Sequence, residues 1–243
     1  MPEGSNSLDI FGLKPIAEAA SALTKGGIDA AGAFLGRICL PAAEEFGLML
    51  RDRVSAWRAQ NAAAIANKAE RISTAKGTPV EYHALPRLVG SILAQGSWTD
   101  SDEVQDLWAG LLASSCDASG TDESNLMFVD LLTRLSVSQV RILRHAVSGA
   151  NKTASGAGWL LADQFSVECN ELLTIAGLAD LQRLDRELDH LRSLGLLDLH
   201  AGFNPQTTFA NVTPSALALH MVARANGHRG SPLEYFGIVS PTT

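Results

Sequence analysis

The chain has 243 residues, of which 46% are hydrophobic, enough for one large domain or two small ones with their own cores. Its 19 Lys and Arg stand against 26 Asp and Glu, a net charge of −7, so it lacks the basic footprint of a general nucleic-acid binder. Aromatics are sparse at 6%, while Ala, Leu and Gly are abundant, which favours helices packed through small side chains over a β-sandwich.

In chain order, Pro15 suits the first position of a helix that runs through IAEAASALTK and is expected to end or kink at Gly26-Gly27. IDAAGAFLGRICL reads as a second short helix. Gly32 and Gly36 are four apart on it and form, with Ile28, a small-residue face that another helix can approach closely. Pro41 opens the next helix. Phe46, Leu50, Val54, Trp57 and Ile65 recur on it with helical spacing, so one long helix reaching Ile72 is expected, with Phe46, Leu50 and Trp57 buried. Lys76 to Pro79 is a turn. Pro86 starts PRLVGSILAQG, and Gly96 ends it. Asp100 or Ser101 caps a helix whose buried stripe is Val104, Leu107, Trp108, Leu111 and Leu112. Asp117 to Glu123 is a polar loop, and Glu123 to Leu135 is helical.

From Ser136 the pattern changes. SVSQVRILRHAVS is a Ser-capped helix, followed by a Gly-, Ala- and Ser-rich stretch from Ser148 to Gly158. A helix lies near Val167 to Ile175, stopped by Gly177. Leu181, Leu184, Leu188, Leu191 and Leu194 then make an apolar stripe that closes on Gly195. LLDL and TFANV read as strands around the turn HAGFNPQT. Thr213-Pro214 caps and starts a last helix. Helices, then two strands around a turn, then a helix give the expected fold class: mainly α, with an N-terminal helical domain over 1–135 and a winged helix-turn-helix with a small β-hairpin, plus a C-terminal tail, over 136–243.

Chemistry is poorly represented. Cys39, Cys116 and Cys169 are odd in number and far apart, and they match no metal-ligand spacing, so a disulfide framework is not expected. They read as buried small hydrophobes in a reducing compartment. None of the six histidines has a ligand-spaced partner. Ser155 to Gly158 lacks the strand–glycine–helix context of a phosphate loop, and no G-x-S-x-G elbow occurs. The acids Asp100, Asp102, Glu103 and Asp106 stand where a helix dipole favours them. No catalytic residue, cofactor site or metal site is therefore assigned. MPEGSNSLDIFG has no signal-peptide pattern and no run of about 20 apolar residues occurs, so a cytoplasmic protein is expected.

The candidate recognition helix carries Gln182, Arg183, Asp185, Arg186, Glu187, Asp189, His190 and Arg192 on its polar side, three Arg against three acids. The turn Phe203 to Gln206 has no Lys or Arg. Alternating signs suit a protein contact better than phosphate, so Arg183, Arg186 and His190 are assigned to an interaction surface, with Gly32 and Gly36 as a second one.

LKPIAEAASALTKGGIDAAGAFLGRICLPAAEEFGLMLRD and DSDEVQDLWAGLLASSCDASGTDESNLMFVDLL resemble the bacterial abortive-infection alpha family, over roughly residues 12 to 200, most specifically in LWAGLLASS from Leu107 to Ser115. The resemblance implies a role in phage resistance, in which an infected cell stops growing or dies before phage matures. Combined with the residue reading, it leads to the expectation of a non-enzymatic protein that acts by protein interaction or self-assembly. Its partners would be a second copy of the chain and a protein partner or phage trigger. A DNA-binding regulator is the second class. An effector that meets the membrane surface through the Gly- and Ala-rich N-terminus after activation is the third.

Overall fold

The computed structural model describes residues 14–49, 53–75, 82–204 and 206–238. Among these, the helical part comprises α1 (Lys14–Ile38), α2 (Leu40–Met49), α3 (Arg53–Thr74), α4 (Pro86–Gly96), α5 (Asp102–Ser114) and α6 (Leu126–Thr133). It continues through α7 (Val137–Gly149), β1 (Lys152–Ala154), β2 (Leu160–Ala162), β3 (Ser166–Glu168), α8 (Cys169–Ala176) and α9 (Leu181–Ser193). The described chain ends with β4 (Gly202–Phe203), β5 (Phe209–Asn211), α10 (Ala216–Ala225) and α11 (Pro232–Tyr235). The protein is mainly helical, with two small antiparallel sheets.

Helix α5 lies at the centre and packs against α3, α4, α6, α7 and α10. Its Leu107, Trp108, Leu111 and Leu112 are buried, as their spacing requires. Helix α1 buries Ala31, Phe34, Leu35 and Ile38 against α3, whose own buried face is largely alanine: Ala59, Ala62, Ala63, Ala66 and Ala69. Alanine keeps the helix axes close and leaves no side-chain entropy to lose on burial.

Several expectations are corrected. Gly26-Gly27 does not interrupt α1, because the Asn67 side chain on α3 donates to the Gly27 carbonyl at 2.9 Å and holds that turn in register. The expected helix through Phe46 and Ile65 is two helices, α2 and α3, and Leu50 lies outside the described residues. Phe46 is buried, but Trp57 is 42% exposed. Trp57 shares a face with Asn61 and Ile65, yet the end of α4 covers that face only from Arg58 and Asn61 onward, through their bonds to Ala94 and Ser97. Helix α6 is shorter than expected. Gly32 and Gly36 do not pack within the chain: a Cβ on either would meet nothing among the described residues within 4 Å.

In the second half, Ser136 caps α7 with a full capping box, bonding reciprocally with Gln139. The Gly-rich stretch that follows is a hairpin, with Lys152 paired to Ala162 and Ala154 to Leu160. The expected strand over LLDL is absent. Leu196 and Leu197 are buried in the core, and Leu197 makes a lone bridge to Pro214. The Asp198 carboxylate then accepts from the His200 N–H at 2.9 Å, which turns the chain. The first strand of the pair is instead β4, two residues within what was read as turn. Strand β3 precedes α8 on residues expected to be helical, and Ser215, rather than Thr213, caps α10 by accepting from the Ala218 N–H at 3.1 Å. The sheet order is β3-β5-β4.

The two halves are locked by α10. Its C-terminus lies directly on α5 at Gly110, where an added Cβ would fall 1.8 Å from the Ala225 carbonyl oxygen. From the same segment, Arg229 Nε and Nη2 donate to the Ala113 carbonyl at 3.1 and 3.0 Å, and Arg224 Nη1 reaches the Ser114 carbonyl at 3.5 Å. These are carbonyls that the last turn of α5 cannot satisfy within the helix, and two guanidinium charges face the negative end of its dipole. Gly227 makes the return with φ of 78°, seated against Ile72. One hydrophobic cluster runs from Ala31 to Leu233.

Gly110→Ala should therefore destabilise the protein by about 2–3 kcal/mol, the scale of a well-packed core forced to accept an extra methyl. Trp57→Ala should cost about 0.5 kcal/mol, the scale of a surface substitution. Urea denaturation followed by far-ultraviolet circular dichroism checks both. A larger loss at Trp57 than at Gly110 would contradict the packing described.

Candidate functional site

The exposed part of α9 and the β4–β5 turn border a cleft of about 350 Å³ that reaches the start of α8. Glu168, Asn170, Leu181, Gln182, Asp185 and Phe203 are among its walls. Leu181 is exposed at the mouth, 46% accessible, and Asp185 makes no ion pair among the described residues. Two carboxylates and no cation line the cleft.

The helix ends beside it are occupied by the chain's own acids. The Glu168 carboxylate caps α8, its Oε2 accepting from the Asn170 and Glu171 N–H groups at 2.7 and 3.1 Å. Asp180 caps α9 in the same way, at 3.1 and 3.2 Å from the Gln182 and Arg183 N–H groups. Helix N-termini offer N–H groups and positive dipole to a phosphate. Here carboxylates already fill both positions.

The polar side of α9 is less free than its spacing suggests. Arg183 and Arg186 are exposed, and Arg183 Nε stands 3.6 Å from Glu187. Glu187 itself is buried, accepting from Gln139 Nε2 at 2.7 Å, and His190 Nδ1 pairs with the same nitrogen at 2.7 Å. Arg192 donates to the Ala201 carbonyl at 2.7 Å and pairs with Asp189 at 2.5 Å. Glu187, His190 and Arg192 thus tie α9 to α7 and to the segment before β4, a correction to their placement on one open face. Gln182, Arg183 and Arg186 remain. Gly32 and Gly36 lie on α1, an element not in contact with α9 by any substantial pairing.

The acids at the start of α5 are committed to ion pairs. Lys68 Nζ lies 2.5 Å from Asp102 and 2.7 Å from Asp106, while Arg141 binds Glu103 through Nε at 3.0 Å and Nη2 at 2.8 Å. The hydrogen bond from Lys68 lowers the Asp102 pKa, and that from Arg141 lowers the Glu103 pKa. Among the described residues, no group of three or more His, Cys, Asp or Glu could hold a metal ion. No described helix is long and apolar enough to cross a membrane.

The sequence profile described as abortive infection alpha matches residues 60–221, more than half of the chain. The chain belongs to the abortive infection alpha family. The family takes its description from abortive infection, which suggests a role in phage defence. No curated protein and no solved structure matches it. The family segment starts within α3 and ends within α10, so it contains α5, the cleft and all of α9. Of the two segments that carry the resemblance, DSDEVQDLWAGLLASS and its continuation fall inside it, whereas the Gly32–Gly36 segment lies before it.

Within the family segment, LWAGLLASS is where α5 is covered. Gly110 admits α10, and the Asn125 side chain donates to Ser114 Oγ and Ser115 Oγ at 2.9 Å each. The cap at Glu168 escaped the sequence reading. An acidic side chain just before a helix was the available signal, but β3 was not anticipated, so the start of α8 was set too early.

Two chemical outcomes follow. Burial pushes the Cys116 thiol up to about 11, so at pH 8 only about one part in a thousand is thiolate. With Cys39 and Cys169 also buried, native protein should take up almost no iodoacetamide in an hour at pH 8 and three equivalents per chain in guanidinium. Rapid labelling of native protein would contradict this burial. Asp117 is held below its usual 3.8, first by the Ser119 hydroxyl and then, against the opposing effect of burial, by the N–H groups of Gly120, Ser119 and Asp122. A depressed folded pKa gives stability that is present above the unfolded value and is lost as pH falls through the folded one. Asp117→Asn should therefore lower stability at pH 7 and flatten its fall below about pH 4, as read by thermal melts across pH.

Proposed function

We propose that the chain serves abortive infection as a non-enzymatic, cytoplasmic docking protein. Residues 136–243 would form a winged helix whose α9 and β4–β5 cleft receive a protein partner. The winged-helix reading is supported by the order α7, β3, α8, α9, β4, β5, interrupted by the β1–β2 hairpin after α7, with β5 in the middle of its sheet. One observation carries the choice of protein over nucleic acid: the N-termini of α8 and α9 are capped by Glu168 and Asp180, and the cleft between them adds Asp185 without any cation. A phosphate backbone arriving there would meet carboxylates at each position where a DNA reader offers N–H groups or basic side chains. The DNA-regulator reading rests on Arg183 and Arg186, which are exposed on α9. Self-assembly is assigned to the α1 face at Gly32 and Gly36, which is open within the chain.

Cells expressing the paired substitution Leu181→Ser and Asp185→Arg should lose phage protection by roughly tenfold or more in plating efficiency, the scale of about 1.4 kcal/mol of docking energy. The protein's melting curve should stay unchanged, since Leu181 is exposed and the half-buried Asp185 makes no ion pair among the described residues. Duplex DNA should show no tight complex at physiological salt. Nanomolar, sequence-selective duplex binding that Arg183→Ala or Arg186→Ala abolishes would overturn the docking reading in favour of the regulator. For self-assembly, light scattering should show a wild-type oligomer that Gly36→Leu converts to a folded monomer.

A further inference from the structure

On the other side of α7 from the Gln139–Glu187 contact, the end of that helix, β1, α10 and the turn after α11 enclose a pocket of about 340 Å³. Its walls include Arg144, Ser148, Lys152, Asn226, Tyr235 and Phe236. No carboxylate lines it, although the chain carries a net charge of −7.

Neither cation forms an ion pair among the described residues. Arg144 makes no hydrogen bond or ion pair among the described residues. Glu103 feels the Arg144 charge, but both of its oxygens are taken by Arg141. Lys152 Nζ donates to the Val147 carbonyl at 2.6 Å and to the Ser148 carbonyl at 3.5 Å, which caps the end of α7. An ammonium has three protons, so one remains for a ligand. The Lys152 ammonium also stands 5.4 Å from the Phe236 ring centre, and the Tyr235 and Phe236 rings meet edge to face at 4.9 Å.

Two cations without an ion pair among the described residues, beside an aromatic pair, call for a ligand that is anionic at one end and flat at the other. We propose that this pocket binds a nucleotide, with a phosphate between Arg144 and Lys152 and the base against Tyr235. Guanidinium and ammonium both make charge-assisted bonds to phosphate oxygens. Every base has a π-face, so stacking on Tyr235 tolerates different bases. The volume lies within the range of small-molecule sites, about 300–1,000 Å³. A nucleotide bound there ties α7 and β1 to the residues that follow α10, on a face separate from the α9 cleft.

Isothermal titration of the full chain tests the assignment, with AMP, GMP, UMP, adenosine and inorganic phosphate as separate titrants. At least one nucleotide should bind saturably at one site per chain, with adenosine and phosphate each weaker by about tenfold or more. Arg144→Gln should weaken the nucleotide by about tenfold or more, because it removes a charged partner that makes no hydrogen bond or ion pair among the described residues. Lys152→Met should do the same if its melting curve shows a folded protein. Arg87→Gln, on an exposed residue of α4, should leave binding unchanged and so separates the pocket from general surface charge. The proposal is overturned if none of the three nucleotides binds saturably at millimolar concentration, if phosphate alone binds as tightly as AMP, or if Arg144→Gln leaves nucleotide affinity unchanged.

Discussion

The seating of α10 on α5 governs the rest of the molecule. At Gly110 the Ala225 carbonyl comes so close that no side chain fits, and the flanking Arg224 and Arg229 donate to the carbonyls at the end of α5. Close approach and charge act together there. The glycine lets the helices touch, and the guanidinium groups add charge-assisted bonds to the Ala113 and Ser114 carbonyls at the contact. Because α5 also packs against α3, α4, α6 and α7, a shift of α10 reaches most of the core.

Legibility in the sequence tracked the range of the interaction. Short-range rules held where the partners are neighbours in sequence: Ser136 with Gln139, the leucine stripe of α9 from Leu184 to Leu194 though not the exposed Leu181, and Gly177 and Gly195 with φ near 70° at the ends of α8 and α9. They failed where the deciding partner is distant. Gly26-Gly27 would break an isolated helix, but Asn67 supplies a bond from 40 residues away. Trp57 has the right period for burial but lies where α4 offers Arg58 and Asn61 their hydrogen bonds and no apolar cover. Nothing local marks Gly110 as different from any other helical glycine, since its partner is Ala225.

The proposed interaction surface shows the same division. Arg183 and Arg186 are exposed, as a helical wheel places them, and are balanced by acids. The wheel could not assign Glu187 and His190, because α7 approaches from the side that the wheel leaves polar, and Gln139 bonds to both. The cleft is less legible still. It needs Glu168 at the head of α8 and Phe203 on β4, and both depend on strands too short to leave a period of their own.

The arginine caps on α5 also bear on how the chain is made. During synthesis α5 leaves the ribosome more than a hundred residues before Arg224 and Arg229 do. Until then its last carbonyls and the surface around Gly110 face solvent or a chaperone. Non-local closure of this kind slows folding and prolongs the exposure of apolar surface. For more than a hundred residues of synthesis the nascent chain therefore carries a central helix whose α10-facing side is uncovered. Its completion is timed by translation of the segment from Ala216 to Arg229.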